Sequence, residues 1–274
     1  MKQKPAVSFL LGLLFAGCSG IAHPPSAAMQ VKQMRVDGVD LAYVEQGKGE
    51  TVVFVHATDG DWRDWEGLRP LVAEKYHFVS LSLRYHYPNA WVDDGKNYSM
   101  AQHVEDVAAF IRALNVGKVH LVGNSYSGRL VGYIALKNPE LLRSVIMGEP
   151  NIIAPTSAEG KAAIAALQKD QAKTREAAMA GDAKQAVMLL WAAVLDDPDA
   201  FQKATPVQQT SGRALSVTCE QLEALKVPAL VVTGETSRAS YRYRNEMLVS
   251  CLPGGTATAV VPNAPAQLVC GKSN

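Results

Sequence analysis

Short, nearly continuous apolar runs recur along the chain: Thr51-Val52-Val53-Phe54-Val55-His56, His77-Phe78-Val79-Ser80-Leu81-Ser82-Leu83, Lys118-Val119-His120-Leu121-Val122, Ser144-Val145-Ile146-Met147, Pro228-Ala229-Leu230-Val231-Val232-Thr233 and Thr256-Ala257-Thr258-Ala259-Val260-Val261. The first three predict strands buried on both faces of a parallel sheet, and the other three predict further strands of the same sheet. Between them the apolar spacing changes to that of helices. Trp65, Leu68, Leu71 and Val72 predict one helix over Trp62 to Lys75. Val104, Val107, Phe110, Ile111 and Leu114 predict another, with Ser99 as its N-cap. Leu130, Val131, Ile134 and Ala135 mark a third that runs to Asn138-Pro139, and Tyr241 to Leu252 a fourth. Ahead of these, Gln33 to Glu45 alternates polar and apolar across Asp37-Gly38, the pattern of a β-hairpin. Strands alternating with helices imply βαβ units and a mostly parallel α/β sheet covered by helices.

Two segments depart from this rhythm. From 151 to 227 the chain is rich in Ala, Gln, Lys and Leu without a convincing strand, and reads as two to four helices inserted as a cap. At the start, Lys2 and Lys4 precede the apolar run Ala6 to Ala16, then Gly17-Cys18-Ser19-Gly20 and the spacer His23-Pro24-Pro25-Ser26. A charged start, a short apolar run and a small-residue exit describe an export signal, too short to span a bilayer. Phe15-Ala16-Gly17-Cys18 also resembles a bacterial lipobox, which implies lipidation at Cys18 and a periplasmic or membrane-anchored protein. The expected organisation is therefore signal and spacer at 1–28, core at 29–150, cap at 151–227 and core again at 228–274.

Composition adds exclusions. Lysine and arginine number 27 against 26 acidic residues, with no long basic or acidic block, so nucleic acid is not an expected partner. Cys18, Cys219, Cys251 and Cys270 show no CxxC spacing, so neither a metal nor a redox site is expected. In an oxidising compartment Cys219 and Cys251 are available to pair.

The chemistry concentrates at Gly123-Asn124-Ser125-Tyr126-Ser127-Gly128, between a buried strand and an amphipathic helix. A strained strand-to-helix turn of this kind presents a serine nucleophile and needs small residues on either side. Gly123 meets that need, and Ser127 reads as a tolerated replacement for glycine. With Val119 to Val122 before it, this segment resembles the nucleophile elbow of the α/β-hydrolase family, and the resemblance extends over roughly residues 32 to 264. Phe54-Val55-His56-Ala57-Thr58-Asp59-Gly60 is similar to the family's His-Gly oxyanion loop, with Ala57 in place of a glycine that tolerates positive φ. The resemblance implies an α/β-hydrolase fold, Ser125 as nucleophile and the Tyr126 and Thr58 amides as oxyanion donors. It implies a small-molecule substrate, of which a small carboxylic ester is the expected class, and no cofactor. His56 reads as an anchor of the turn. Because this fold's epoxide hydrolases and dehalogenases attack with aspartate, a serine speaks against both activities.

Two glutamates compete to orient a catalytic base. Glu149 follows the strand after the nucleophile; Glu235 follows the next, near the slot that Ser237 occupies where the family usually keeps aspartate. Glu149 is favoured. The base itself is missing: His23, His56, His77, His86, His103 and His120 all precede Ser125, whereas the resemblance places the catalytic histidine after the last strand. Val261-Pro262-Asn263-Ala264 leads into Pro265-Ala266-Gln267-Leu268 instead. A one-base frame shift near Ala264 is one account of an altered and shortened tail. Ala57, His86 and Trp191 are candidate substrate contacts, while Trp62, Trp65 and Trp91 read as packing residues. The alternative to an ester hydrolase is a non-catalytic ligand-binding protein on the same fold.

Overall fold

A computed structural model describes residues 29–58, 60–90, 98–180, 217–254 and 256–262. The hairpin is present as β1 (Lys32–Val36) and β2 (Val39–Gln46), antiparallel, with Val36 opposite Val39. Asp37 and Gly38 both adopt positive φ, 43° and 80°, as a two-residue turn matched to strand twist requires. β3 (Thr51–Val55), β4 (His77–Leu81), β5 (Val119–Asn124), β6 (Leu142–Gly148), β7 (Ala229–Gly234) and β8 (Ala257–Val261) complete the sheet. Its order is β1-β2-β4-β3-β5-β6-β7-β8, parallel from β4 to β8.

The chain runs outward from β3 to β4, then returns to place β5 on the other side of β3. Such a reversal opens a crevice at the carboxyl ends of the two diverging strands. The ends of β3 and β5 lie side by side there, Val55 opposite Gly123.

One sheet face packs on α2 (Met100–Leu114), α3 (Tyr126–Lys137), α5 (Cys219–Glu223) and α6 (Ala239–Cys251). Ser99 caps α2, accepting from the Gln102 amide at 3.1 Å, and Phe110 meets Tyr43 edge-on at 5.3 Å between centroids. The other face buries Phe54, Phe78, Val122, Ile146 and Leu230, with Trp65 5.1 Å from Phe54. Trp65 and the half-buried Trp62 are thus packing residues.

The single helix expected over 62–75 is broken. A 3-10 turn covers Trp62–Trp65, and a separate short helix α1 covers Arg69–Ala73. Pro70 enters the first turn of α1, where its lack of an N–H is harmless but continuation from upstream is not. Within 151–227, α4 (Ala158–Met179) is described, and Leu222, Leu225 and Val227 of the α5 region join the main core. Cys219 and Cys251 form a disulfide tying α5 to α6. Cys18, Trp91, Trp191, Cys270 and the tail from 263 lie outside the described residues.

Candidate active site

Ser125 stands between β5 and α3 at φ 56°, ψ −111°. A non-glycine residue held there stores on the order of 1–3 kcal/mol, so its surroundings must impose the shape. The Ser125 amide donates to the Gly148 carbonyl at 2.8 Å, anchoring the turn to β6. A Cβ at Gly123 would meet the Ser127 backbone, and one at Gly128 the Gly148 carbonyl, so close packing demands glycine at both. Ser127 is more than a tolerated replacement. Its buried hydroxyl donates to the Val55 carbonyl at 2.7 Å and accepts from the Asn124 amide at 2.8 Å, which binds the elbow to β3. Asn124 and Tyr126 are buried on either side, and Ser125 between them is half-buried.

The segment from His56 to Thr58 follows the end of β3, next to the β5 end that carries this serine. His56 is fully buried; its Nδ1 donates to the Ala57 carbonyl at 2.7 Å and its Nε2 accepts from the Leu83 amide at 2.9 Å. Those bonds anchor the loop, as expected. Ala57 is not among the residues with positive φ, so glycine's freedom is not required at that position. Among the described residues neither the Thr58 nor the Tyr126 N–H donates to a backbone carbonyl.

Glu149 follows β6 at φ 45° and is fully buried. Oε1 accepts from the Gly234 amide at 2.7 Å and from the Ser237 hydroxyl at 2.5 Å, while Oε2 accepts from Asn245 Nδ2 at 2.9 Å. Burial raises its pKa, and the three donors oppose that shift. Ser237, in the slot where an aspartate was looked for, thus supports the carboxylate of the neighbouring strand. Glu235 is exposed, its amide donating to the Val261 carbonyl at 2.9 Å.

The histidines form a second layer. His86 is buried with Nδ1 2.9 Å from the Arg84 carbonyl and Nε2 3.0 Å from the Thr58 carbonyl. It therefore braces the segment after β3 at Thr58, and a direct substrate contact is not its visible role. His103 Nδ1 accepts from the Tyr126 hydroxyl at 2.7 Å, and Nε2 donates to the Arg84 carbonyl at 3.2 Å. Arg84 is held in turn by Asp106 through two bonds of 2.7 Å. Burial lowers the pKa of all three histidines, that of His103 to about 3, with the charge of His86 adding to the effect. Burial likewise raises the Tyr126 phenol. With their ring nitrogens committed to these partners, the three are scaffold, and none is free to take a proton from Ser125. His103, Asp106 and Asn245 had not been singled out from sequence; a histidine on the apolar stripe of α2 was the one visible signal. No group of three or more His, Cys, Asp or Glu side chains that could hold a metal ion occurs among the described residues.

Comparison with known proteins agrees with this architecture. Residues 50–245 match the family model described as alpha/beta hydrolase fold. A 2-hydroxy-6-oxo-6-(2'-aminophenyl)hexa-2,4-dienoic acid hydrolase of Metapseudomonas resinovorans is 26% identical over 141 residues, 48% of this chain and 47% of the relative. A dihydrolipoyllysine-residue acetyltransferase component of an acetoin cleaving system from Cupriavidus necator is 33% identical over 131 residues, 47% of this chain and 34% of the relative. The chain thus spans about half the length, or less, of these curated relatives. Among solved structures, a serine hydrolase of Cycloclasticus zankles superposes with a TM-score of 0.66 at 16% identity, covering 88% of this chain and 93% of the other. A bacterial membrane phospholipase A superposes with a TM-score of 0.62 at 18% identity, covering 95% and 84%. At these identities the superpositions bear on the fold alone. The family model covers most of the chain, and the protein belongs to the α/β-hydrolase fold family.

Proposed function

We propose that this protein is a serine hydrolase of small carboxylic esters, with Ser125 as nucleophile. The observation that carries the reading is Ser125 itself, held at positive φ at the carboxyl end of β5 beside two uncommitted amides. Backbone strain at a half-buried serine in a crevice is a feature of functional turns. In the reaction Ser125 Oγ attacks the ester carbonyl, and the Thr58 and Tyr126 amides receive the charge that develops on its oxygen. Glu149 is the carboxylate that would orient a general base for the serine proton; His56, His86 and His103 are committed elsewhere and do not supply that base. We further propose an exported protein, lipid-anchored through Cys18. The Cys219–Cys251 disulfide supports the export, because such bonds persist in oxidising compartments.

One observation favours a second reading, a ligand-binding protein that retains the crevice without turnover. No histidine follows Ser125 in these 274 residues, and the buried ones are committed elsewhere. Hydrolysis of 4-nitrophenyl acetate, with Ser125→Ala and Glu149→Gln beside the wild type, separates the two. Turnover and fluorophosphonate labelling that both vanish in Ser125→Ala, with turnover reduced in Glu149→Gln, support the hydrolase. Wild-type turnover no higher than that of Ser125→Ala, with no labelling, refutes it.

A further inference from the structure

Ser125 stands at the carboxyl end of β5, and a second concave place lies at the amino ends of β5, β6 and β7. The length of β5 separates the two by about 20 Å. It is an open cleft of about 480 Å³, within the size range of small-molecule sites. Lys118 just before β5, Arg143 as the second residue of β6, and Lys226 shortly before β7 line it from three neighbouring strands. Leu142 and Val227, both buried, give it apolar surface.

The charges in this cleft are unequally matched. Its carboxylate, Glu140, is already approached by Arg112 Nη2 at 3.4 Å and by Asn138 Nδ2 at 3.5 Å. Arg143 is partly committed, with Nε donating to the Lys118 carbonyl at 3.1 Å and Nη1 lying 3.4 Å from Glu50 Oε1. Glu50 is shared in turn, its Oε2 being 3.3 Å from His120 Nε2. Among the described residues neither the Lys118 nor the Lys226 ammonium takes part in an ion pair.

A concave surface lined mainly by one sign of charge concentrates the opposite ion. Lysine ammoniums act as point charges that meet a phosphate from any side, whereas a planar carboxylate is best matched by a free guanidinium fork. The guanidinium here has Nε and Nη1 turned to other partners. A phosphate monoester offers three oxygens and a charge of about −1.5 to −2, which suits cations arriving from three strands. We propose that Lys118, Arg143 and Lys226 form a binding site for an organic phosphate, with Leu142 and Val227 receiving its apolar part. The site is independent of the hydrolase reading, because it lies at the opposite end of the sheet from Ser125.

Phenyl phosphate is the probe, titrated calorimetrically into the full-length wild type, Lys118→Gln, Lys226→Gln, the double variant and Lys226→Arg. Benzoate and benzyl alcohol are the planar-anion and uncharged controls. The wild type should bind phenyl phosphate more tightly than either control, and less tightly as salt is added. Each glutamine variant should weaken binding by about 5-fold and the double variant by about 25-fold, the upper range for exposed charge pairs, while Lys226→Arg retains it. Competition by phosphatidylglycerol vesicles, with none by phosphatidylcholine vesicles, would identify the phosphate as a lipid headgroup; competition by glycerol 3-phosphate alone would identify it as a soluble ester. Phenyl phosphate binding that is absent in the wild type, equal to that of benzoate, or unchanged in the double variant overturns the proposal.

Discussion

Acidification should unfold this protein through the histidine layer beneath the oxyanion loop, and His103 allows the size to be worked out. An unfolded histidine titrates near 6.5, whereas His103 in the fold titrates at about 3. Between those values the unfolded chain binds the extra proton, so stability is complete above about pH 6.5 and drains as pH falls toward 3. At pH 4 the loss through this one group is about 3 kcal/mol, at roughly 1.36 kcal/mol per pH unit. His86, Arg84, Tyr98 and Tyr126 face the ring, and none is an anion that would stabilise an imidazolium. His56 and His86 are lowered too and drain stability in the same direction. Glu149, raised, works the other way: its folded form holds a proton more tightly, so its contribution fades as pH rises. His103→Gln isolates the effect, because a glutamine amide donates to the Arg84 carbonyl and accepts from the Tyr126 hydroxyl without titrating. Urea unfolding of both proteins at pH 7 and pH 4 is the measurement. The wild type should lose about 3 kcal/mol more than the variant across that interval. Parallel losses in the two proteins, or a His103 imidazole that titrates near 6 by NMR, would refute the reasoning.

Two further perturbations report on how the site is held. Cys219 and Cys251 close a loop of 32 residues, which corresponds to about 3–4 kcal/mol of chain entropy in the unfolded state. The double serine variant should melt at least several degrees lower by differential scanning calorimetry, and an unchanged melting temperature would show that the bridge contributes nothing. Ser127→Ala leaves the Asn124 amide and the Val55 carbonyl each without one buried partner, at a cost of about 1–3 kcal/mol. Chemical denaturation tests this, and a variant as stable as the wild type would return Ser127 to a mere space-filler.

Much of the fold was legible because burial on both faces of a parallel sheet writes itself as apolar runs, and each of those runs is a strand, although the last, β8 at the sheet edge, alternates half-buried and exposed positions. The break between Trp62–Trp65 and Arg69–Ala73 was readable from Pro70 but was overridden by apolar spacing, which cannot see a missing N–H. The serine was legible for a related reason: a strained turn needs small neighbours in fixed order, and that order is local. Its supports were not. Glu149 meets Gly234, Ser237 and Asn245, and His86 meets Thr58, through contacts that exist only once β3, β4, β6 and β7 are aligned.

The sequence by itself therefore determined the strand-helix order, the hairpin turn at Asp37-Gly38 and the serine at the end of β5, all set by neighbours a few residues apart. Tertiary structure alone decided that Glu149 and not Glu235 is the enclosed carboxylate, and that three histidines are scaffold. The physical reason is that burial, hydrogen-bond partners and charge neighbours are properties of position in space, and they arise only when segments dozens of residues apart are packed together.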